Sequence, residues 1–85
     1  MSVTEIKIFT MDHCPYCEKA KRLLTARGIK YTENKVSYDD DAEWDRLEKL
    51  SGLKTMPQIF KGETLIGGYS DLEKLDKEGG LKNWV

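Results

Sequence analysis

The chain has 85 residues, 39% of them hydrophobic, which supports one small domain over residues 1–85 with a single modest core and leaves no room for a second. Fourteen Lys and Arg against fifteen Asp and Glu give a formal net charge of −1, so no overall field draws the protein to nucleic acid or anionic lipid. Two cysteines set close together are not the multi-disulfide framework of a small secreted domain and point instead to reversible chemistry in a reducing compartment. Met1 to Phe9 carries Glu5 and Lys7 and lacks an apolar core of signal-peptide length, and nothing approaches a transmembrane stretch, so the expected compartment is the cytosol.

In chain order, Glu5 to Thr10 is β-branched and aromatic and reads as a short strand, and Pro15 to Arg27 has helical spacing at Tyr16, Ala20, Leu23 and Leu24. The junction is Cys14-Pro15-Tyr16-Cys17. Cys14 falls at the N-cap and Pro15 at the first helical position, where its fixed φ suits the helix and its missing N–H has no intrahelical partner to lose. A sulfur at the N-cap faces unpaired N–H groups and the positive end of the helix dipole, which favour thiolate over thiol. Cys14 is therefore predicted as an acidic, exposed nucleophile. Cys17, one turn on, is within disulfide reach and further from solvent, as suits a resolving thiol.

Arg27 and Gly28 read as a C-terminal turn, and Ile29 to Val36 as a polar edge strand that returns parallel to the first through the helical crossover. Asp39, Asp40 and Asp41 open a second helix running to about Ser51, with Ala42, Leu47 and Leu50 as its inner face, Trp44 as packing and Gly52 as its stop. Carboxylates at a helix N-terminus have that ordinary explanation, ahead of a metal site. Gln58 to Lys61 and Glu63 to Ile66 flank Lys61-Gly62 as an antiparallel hairpin, with Pro57 just before the strand, where it interrupts no ladder bond. Without context the Met56–Pro57 bond would be read as trans. Gly67-Gly68 ends the hairpin, Ser70 or Asp71 caps a last helix over Leu72 and Leu75, Gly79-Gly80 stops it, and Leu81 and Trp84 tuck the tail onto the core.

The strand, Cys-Pro-Tyr-Cys, the helix, then Thr-Met-Pro-Gln-Ile-Phe about forty residues on and Gly-Gly-Tyr-Ser-Asp-Leu after it, resemble a dithiol glutaredoxin over nearly the whole chain. The resemblance implies a thioredoxin-like α/β fold: a four-stranded mixed sheet in the order 2-1-3-4, helices one and three on one face and helix two on the other. It implies a cis bond before Pro57, beside the nucleophile at Cys14. Met56 would offer its backbone N–H and C=O to the cysteine of glutathione, much as an added strand would. Tyr69, Ser70 and Asp71 would hold the γ-glutamyl end, its carboxylate on helix-terminal N–H groups and its ammonium on the aspartate. Tyr16 would form the aromatic wall of this groove, and Thr55 would line it.

Met11 departs from the pattern. Many members of the family have a lysine there, three residues before the first cysteine, where it meets the glycyl carboxylate of glutathione. Less electrostatic help is expected on that side, with His13, Lys54 or Lys19 as substitutes, and an exposed pair of this kind is worth about 1 kcal/mol or less. His13 has two readings, an imidazolium that helps keep Cys14 ionised and a solvated loop residue. A Cys14-His13-Asp12 hydrolase triad is disfavoured, since adjacent side chains rarely stack in line and Cys17 explains Cys14 better. Lys19, Lys21 and Arg22 form a basic helix face, either a guide for acidic partners or a solvated surface.

The activity the resemblance implies is glutathione-dependent thiol–disulfide exchange, with glutathione as reducing co-substrate and no tightly bound cofactor or metal. The expected partners of a monomeric enzyme are glutathione and disulfide-bearing or glutathionylated proteins, ribonucleotide reductase being one candidate. Three rivals stay open. The chain could be a redoxin recycled by thioredoxin reductase, against which Tyr16, Tyr69, Ser70 and Asp71 argue. It could be a metal-binding module, for which two cysteines and one histidine fall short of a four-ligand zinc site unless a dimer shares zinc or an iron–sulfur cluster. Or it could be a non-catalytic adaptor, which an intact C-x-x-C does not favour.

Overall fold

The computed structural model describes residues 5–81. Trp84 lies outside the described residues. The centre of the molecule is β1 (Ile6–Thr10), whose alternation sends Ile6 and Ile8 to one face of the sheet and Phe9 to the other. Buried on both faces, β1 takes an interior place, and the sheet order is β2-β1-β3-β4 with β2 at Thr32–Lys35, β3 at Gln58–Lys61 and β4 at Thr64–Gly67. The β1–β2 pair is parallel because a helix, α1 (Pro15–Ala26), carries the chain across between them. β3 runs antiparallel to both β1 and β4, with an irregularity between Ile59 and Phe60. This is the predicted order and orientation, including the hairpin.

α1 and α3 (Tyr69–Lys77) cover one face. There Ala20, Leu24 and Leu72 pack on Ile6, Ile8 and Ile59, with Ile29 and Leu81 joining from the adjoining segments. At the end of α1, Arg27 makes a two-pronged pair with Asp76 of α3, Nε to Oδ1 at 2.6 Å and Nη2 to Oδ2 at 2.9 Å. α2 (Asp41–Ser51) belongs to the other face, where Leu47 is buried with Phe9, Val36, Phe60 and Met56. Phe9 and Phe60 meet edge to face at 5.7 Å. Both cysteines are part of this second cluster. Among the described residues no helix is long and apolar enough to cross a membrane.

Three local expectations need correction. The edge strand is shorter than Ile29 to Val36: β2 is four exposed residues, while Ile29 and Val36 beyond its ends turn into the two cores. In α2 only Leu47 of the three expected inward residues is buried, while Ala42 is exposed and Leu50 is 60% exposed. The inward stripe has the phase of Trp44, Leu47, Glu48 and Ser51, which places Ala42 on the far side and Leu50 on a flank. Trp44 packs against the cluster as expected, and its indole N–H donates to Ser37 O at 2.9 Å. Asp40 is the N-cap of α2 and accepts the Glu43 N–H, which accounts for part of the aspartate run as capping. In α3 the N-cap is Gly68, upstream of Ser70 and Asp71; Asp71 sits three residues in and its carboxylate reaches back to the Gly68 N–H at 3.1 Å.

Candidate functional site

Cys14 is the N-cap of α1, and the Cys17 N–H points at its sulfur at 3.3 Å. The chain enters this position through His13, which is exposed and left-handed at φ 58°. That turn is held from outside: the Tyr38 hydroxyl donates to Asp12 O at 2.5 Å, and Lys35 pairs with the Asp12 carboxylate at 3.1 Å. Cys14 is only 7% exposed, less open than the predicted nucleophile, because its side chain belongs to the cluster that contains Phe9 and Met56. Its thiol donates to Met56 O at 3.7 Å. Cys17 is fully buried. Burial first, and then the hydrogen bond with Cys14, push its thiol up to about 12, against smaller opposing effects from the Met11 backbone and the Lys21 charge. The relative depth of the two sulfurs is as predicted, and at neutral pH Cys17 holds its proton.

Beside Met56 lies a groove of about 450 Å³. One wall is Thr55, Met56 and Pro57, joined by a cis Met56–Pro57 bond; the other is Gly68, Tyr69 and Ser70 at the start of α3, with Tyr16 alongside. The Tyr16 and Tyr69 rings are 6.0 Å apart and tilted by 35°. Tyr16 is 57% exposed, and Lys19 Nζ lies 5.2 Å from its ring centroid, a cation over an aromatic face. Six of the residues expected in the groove thus converge: Tyr16, Thr55, Met56, Pro57, Tyr69 and Ser70. Asp71 does not line it and serves instead as the acceptor for Gly68 N–H at its rim.

Of the side chains weighed as replacements for a lysine at Met11, Lys54 is well exposed, lies 3.7 Å from Glu48 and does not line the groove. Lys19 borders it through Tyr16, and Met11 itself packs against the α2-side cluster. Among the described residues no group of three or more His, Cys, Asp or Glu could hold a metal ion.

One residue that lines the groove and one buried beside its Thr55–Pro57 wall escaped the sequence reading. Gly68 lines the groove, and its neighbour Gly67 has φ 125° with Asp71 packed where a Cβ would stand. The glycine pair was legible as the end of a hairpin, and Asp71 three residues after Gly68 was the available sign that a helix also starts there. Gln58 is fully buried and donates from Nε2 to Leu53 O at 3.1 Å and Thr55 O at 3.2 Å. A polar side chain directly after Pro57, opening an apolar strand, was its only signal.

The family model for glutaredoxins matches residues 6–66. The chain is 43% identical over 77 residues to a glutaredoxin of Neisseria meningitidis serogroup A, covering 89% of each chain. It is 39% identical over 79 residues to glutaredoxin 3 of Escherichia coli K12, covering 93% of this chain and 94% of that one. Among solved structures it resembles a crystal structure of a buckwheat glutaredoxin–glutathione complex, with a TM-score of 0.86 and 26% identity over 95% of this chain and 76% of that chain. With its Cys14–Cys17 pair on a thioredoxin-like fold, the chain belongs to the glutaredoxin family and is a thiol–disulfide oxidoreductase.

Proposed function

We propose that the protein reduces glutathione mixed disulfides and protein disulfides in the cytosol, with Cys14 as nucleophile, Cys17 as resolving thiol and glutathione as electron donor. The observation that carries this reading is the position of Met56, which accepts the Cys14 thiol on its carbonyl and also lines the groove. A molecule paired with the Met56 backbone would present its sulfur to Cys14. The groove is long enough in chemistry for a tripeptide thiol: backbone groups at Met56, helix-terminal N–H groups at Tyr69 and Ser70 for a carboxylate, and Asp71 at the rim for an ammonium. A buckwheat relative of like fold is described as a glutathione complex, which supports the same ligand here. Lys19, over Tyr16, is the cation best placed to meet the glycyl carboxylate.

In the first step the Cys14 thiolate attacks the glutathione sulfur of a glutathionylated protein. The old S–S bond breaks, the protein leaves as a thiolate that takes up a proton, and glutathione is left on Cys14. A second glutathione thiolate attacks that glutathione sulfur, releasing glutathione disulfide and the Cys14 thiolate. With a protein disulfide, Cys14 forms a mixed disulfide with the target, and Cys17 loses its proton and attacks the Cys14 sulfur. The target's second sulfur leaves reduced, and a Cys14–Cys17 bridge remains for glutathione to open.

Part of what keeps Cys17 protonated depends on the state of Cys14. Burial is the largest cause and persists throughout; the hydrogen bond and charge of Cys14 add to it, and that charge is gone once Cys14 is bonded to another sulfur. Cys17 therefore becomes a better nucleophile when there is something to resolve. Dithiols of this family have potentials of roughly −200 to −230 mV, against about −270 mV for thioredoxin, a range glutathione can reduce.

The test is turnover of a glutathione mixed disulfide with glutathione, glutathione reductase and NADPH, beside the same protein supplied with thioredoxin reductase. Turnover with glutathione is expected. Turnover only with thioredoxin reductase would replace the reading with that of a redoxin. Cys14→Ser should abolish both reactions, while Cys17→Ser should spare glutathione mixed disulfides and impair protein disulfides.

A further inference from the structure

Gln58 is a costly residue to keep where it is. It opens β3, opposite Phe9 of β1, and is fully buried. Its amide Oε1 is buried without a hydrogen-bond partner among the described residues. A leucine or methionine would fill similar space and bury no unpaired acceptor. What the amide does have is two donor contacts, to the carbonyls of Leu53 and Thr55. Both belong to the segment that leads from α2 to Met56 and Pro57.

The second contact has a geometric consequence. In a trans peptide the C=O and the following N–H lie in one plane and point in opposite directions. The cis bond in this segment is Met56–Pro57, so the Thr55–Met56 peptide is trans. With the Thr55 carbonyl drawn inward to Gln58, the Met56 N–H of the same peptide is directed away from the buried amide. Met56 lines the groove.

We propose that Gln58 is a positioning residue for substrate: by holding the Leu53 and Thr55 carbonyls it aims the Met56 N–H at the backbone of a peptide-like thiol in the groove. This rests on the glutathione reading given above. Binding should also be felt at Gln58, because a ligand that accepts from Met56 N–H polarises the peptide and strengthens the Thr55 carbonyl as an acceptor.

The experiment compares wild type with Gln58→Met, an apolar side chain of similar length, in two assays. Turnover of a glutathionylated peptide gives KM and kcat, and alkylation of Cys14 by iodoacetamide in a Cys17→Ala background reads the nucleophile with no use of the groove. Loss of two hydrogen bonds should raise KM roughly 5-fold to 30-fold by depopulating the competent loop, with the alkylation rate changed less than about 2-fold. Equal KM values would overturn the proposal, as would equal losses in alkylation and turnover, which would mark a general structural role. If Gln58→Met does not fold, the wild type decides by NMR with S-methylglutathione as a non-reacting probe. The Met56 backbone N–H and the Gln58 side-chain amide should shift together on one binding curve. Movement at Met56 with Gln58 unmoved would overturn the proposal. No wild-type turnover with glutathione, and no shift at the groove, would remove the glutathione reading and this inference with it.

Discussion

Through Cys17 the reduced protein should lose stability as pH rises from 9.0 toward about 12, and Cys17→Ala should remove that loss. In the unfolded chain the thiol ionises above its ordinary 9.0, whereas in the folded chain burial and the Cys14 hydrogen bond keep it protonated up to about 12. The unfolded state therefore sheds a proton that the folded state retains, and alkaline solution favours unfolding. The contribution is complete below 9.0 and is lost across the interval up to about 12. At about 1.4 kcal/mol per pH unit the whole interval amounts to on the order of 4 kcal/mol, and the part reached by about pH 10.5 to roughly 2 kcal/mol. The assay is denaturant unfolding of both proteins in excess reductant at about pH 8 and about pH 10.5. Ionisable groups remote from Cys17 are common to both proteins and cancel in the comparison. Wild type should lose about 2 kcal/mol more than the variant. Parallel losses would show that Cys17 does not hold its proton in the folded state and would refute the reasoning.

Gly67→Ala would drive a Cβ into the Asp71 carboxylate at a φ that disfavours any side chain; it should cost on the order of 1–3 kcal/mol in thermal unfolding and raise KM for glutathione substrates by loosening the Gly68 cap. For the Arg27–Asp76 pair, the Arg27 hydrogen bonds hold the Asp76 carboxyl below its ordinary 3.8. Wild type should exceed Asp76→Asn in stability above that pH, and the two should converge as pH falls through the lowered value; a gap that persists in acid would count against the pair. Leu24→Ala, in the α1–α3 core, should cost about 2–5 kcal/mol by denaturant unfolding and leave kcat/KM unchanged well below the melting temperature. A matching fall in kcat/KM would mean that this core shapes the site directly.

What was legible in the sequence was local. Cys14 as N-cap and Pro15 as first helical residue follow from backbone chemistry within four positions, and the hairpin from the Gly62 turn between two short apolar runs. The parallel return of β2 followed from the crossover rule. What was missed depends on the rest of the molecule. Ala42 and Leu50 are apolar and in a helix, but the phase of α2 is set by Trp44 and Leu47 finding the Phe9–Phe60 face. Burial of Cys14 needs Met56, forty-two residues away, whose carbonyl takes its thiol. The cis bond before Pro57 came from family likeness alone, since base preference reads trans. Gln58 left only a faint signal because its partners are carbonyls, which every residue has.

The groove draws its walls from both hydrophobic layers. Met56 belongs to the cluster beneath α2, and Tyr69 packs against the one beneath α1 and α3, with the sheet between them. An occupant would touch both layers, which already meet through the strands and through α1, where Cys17 joins one cluster and Ala20 and Leu24 the other. Substrate in the groove would add a third link, so the two layers should be held together more tightly while it is bound.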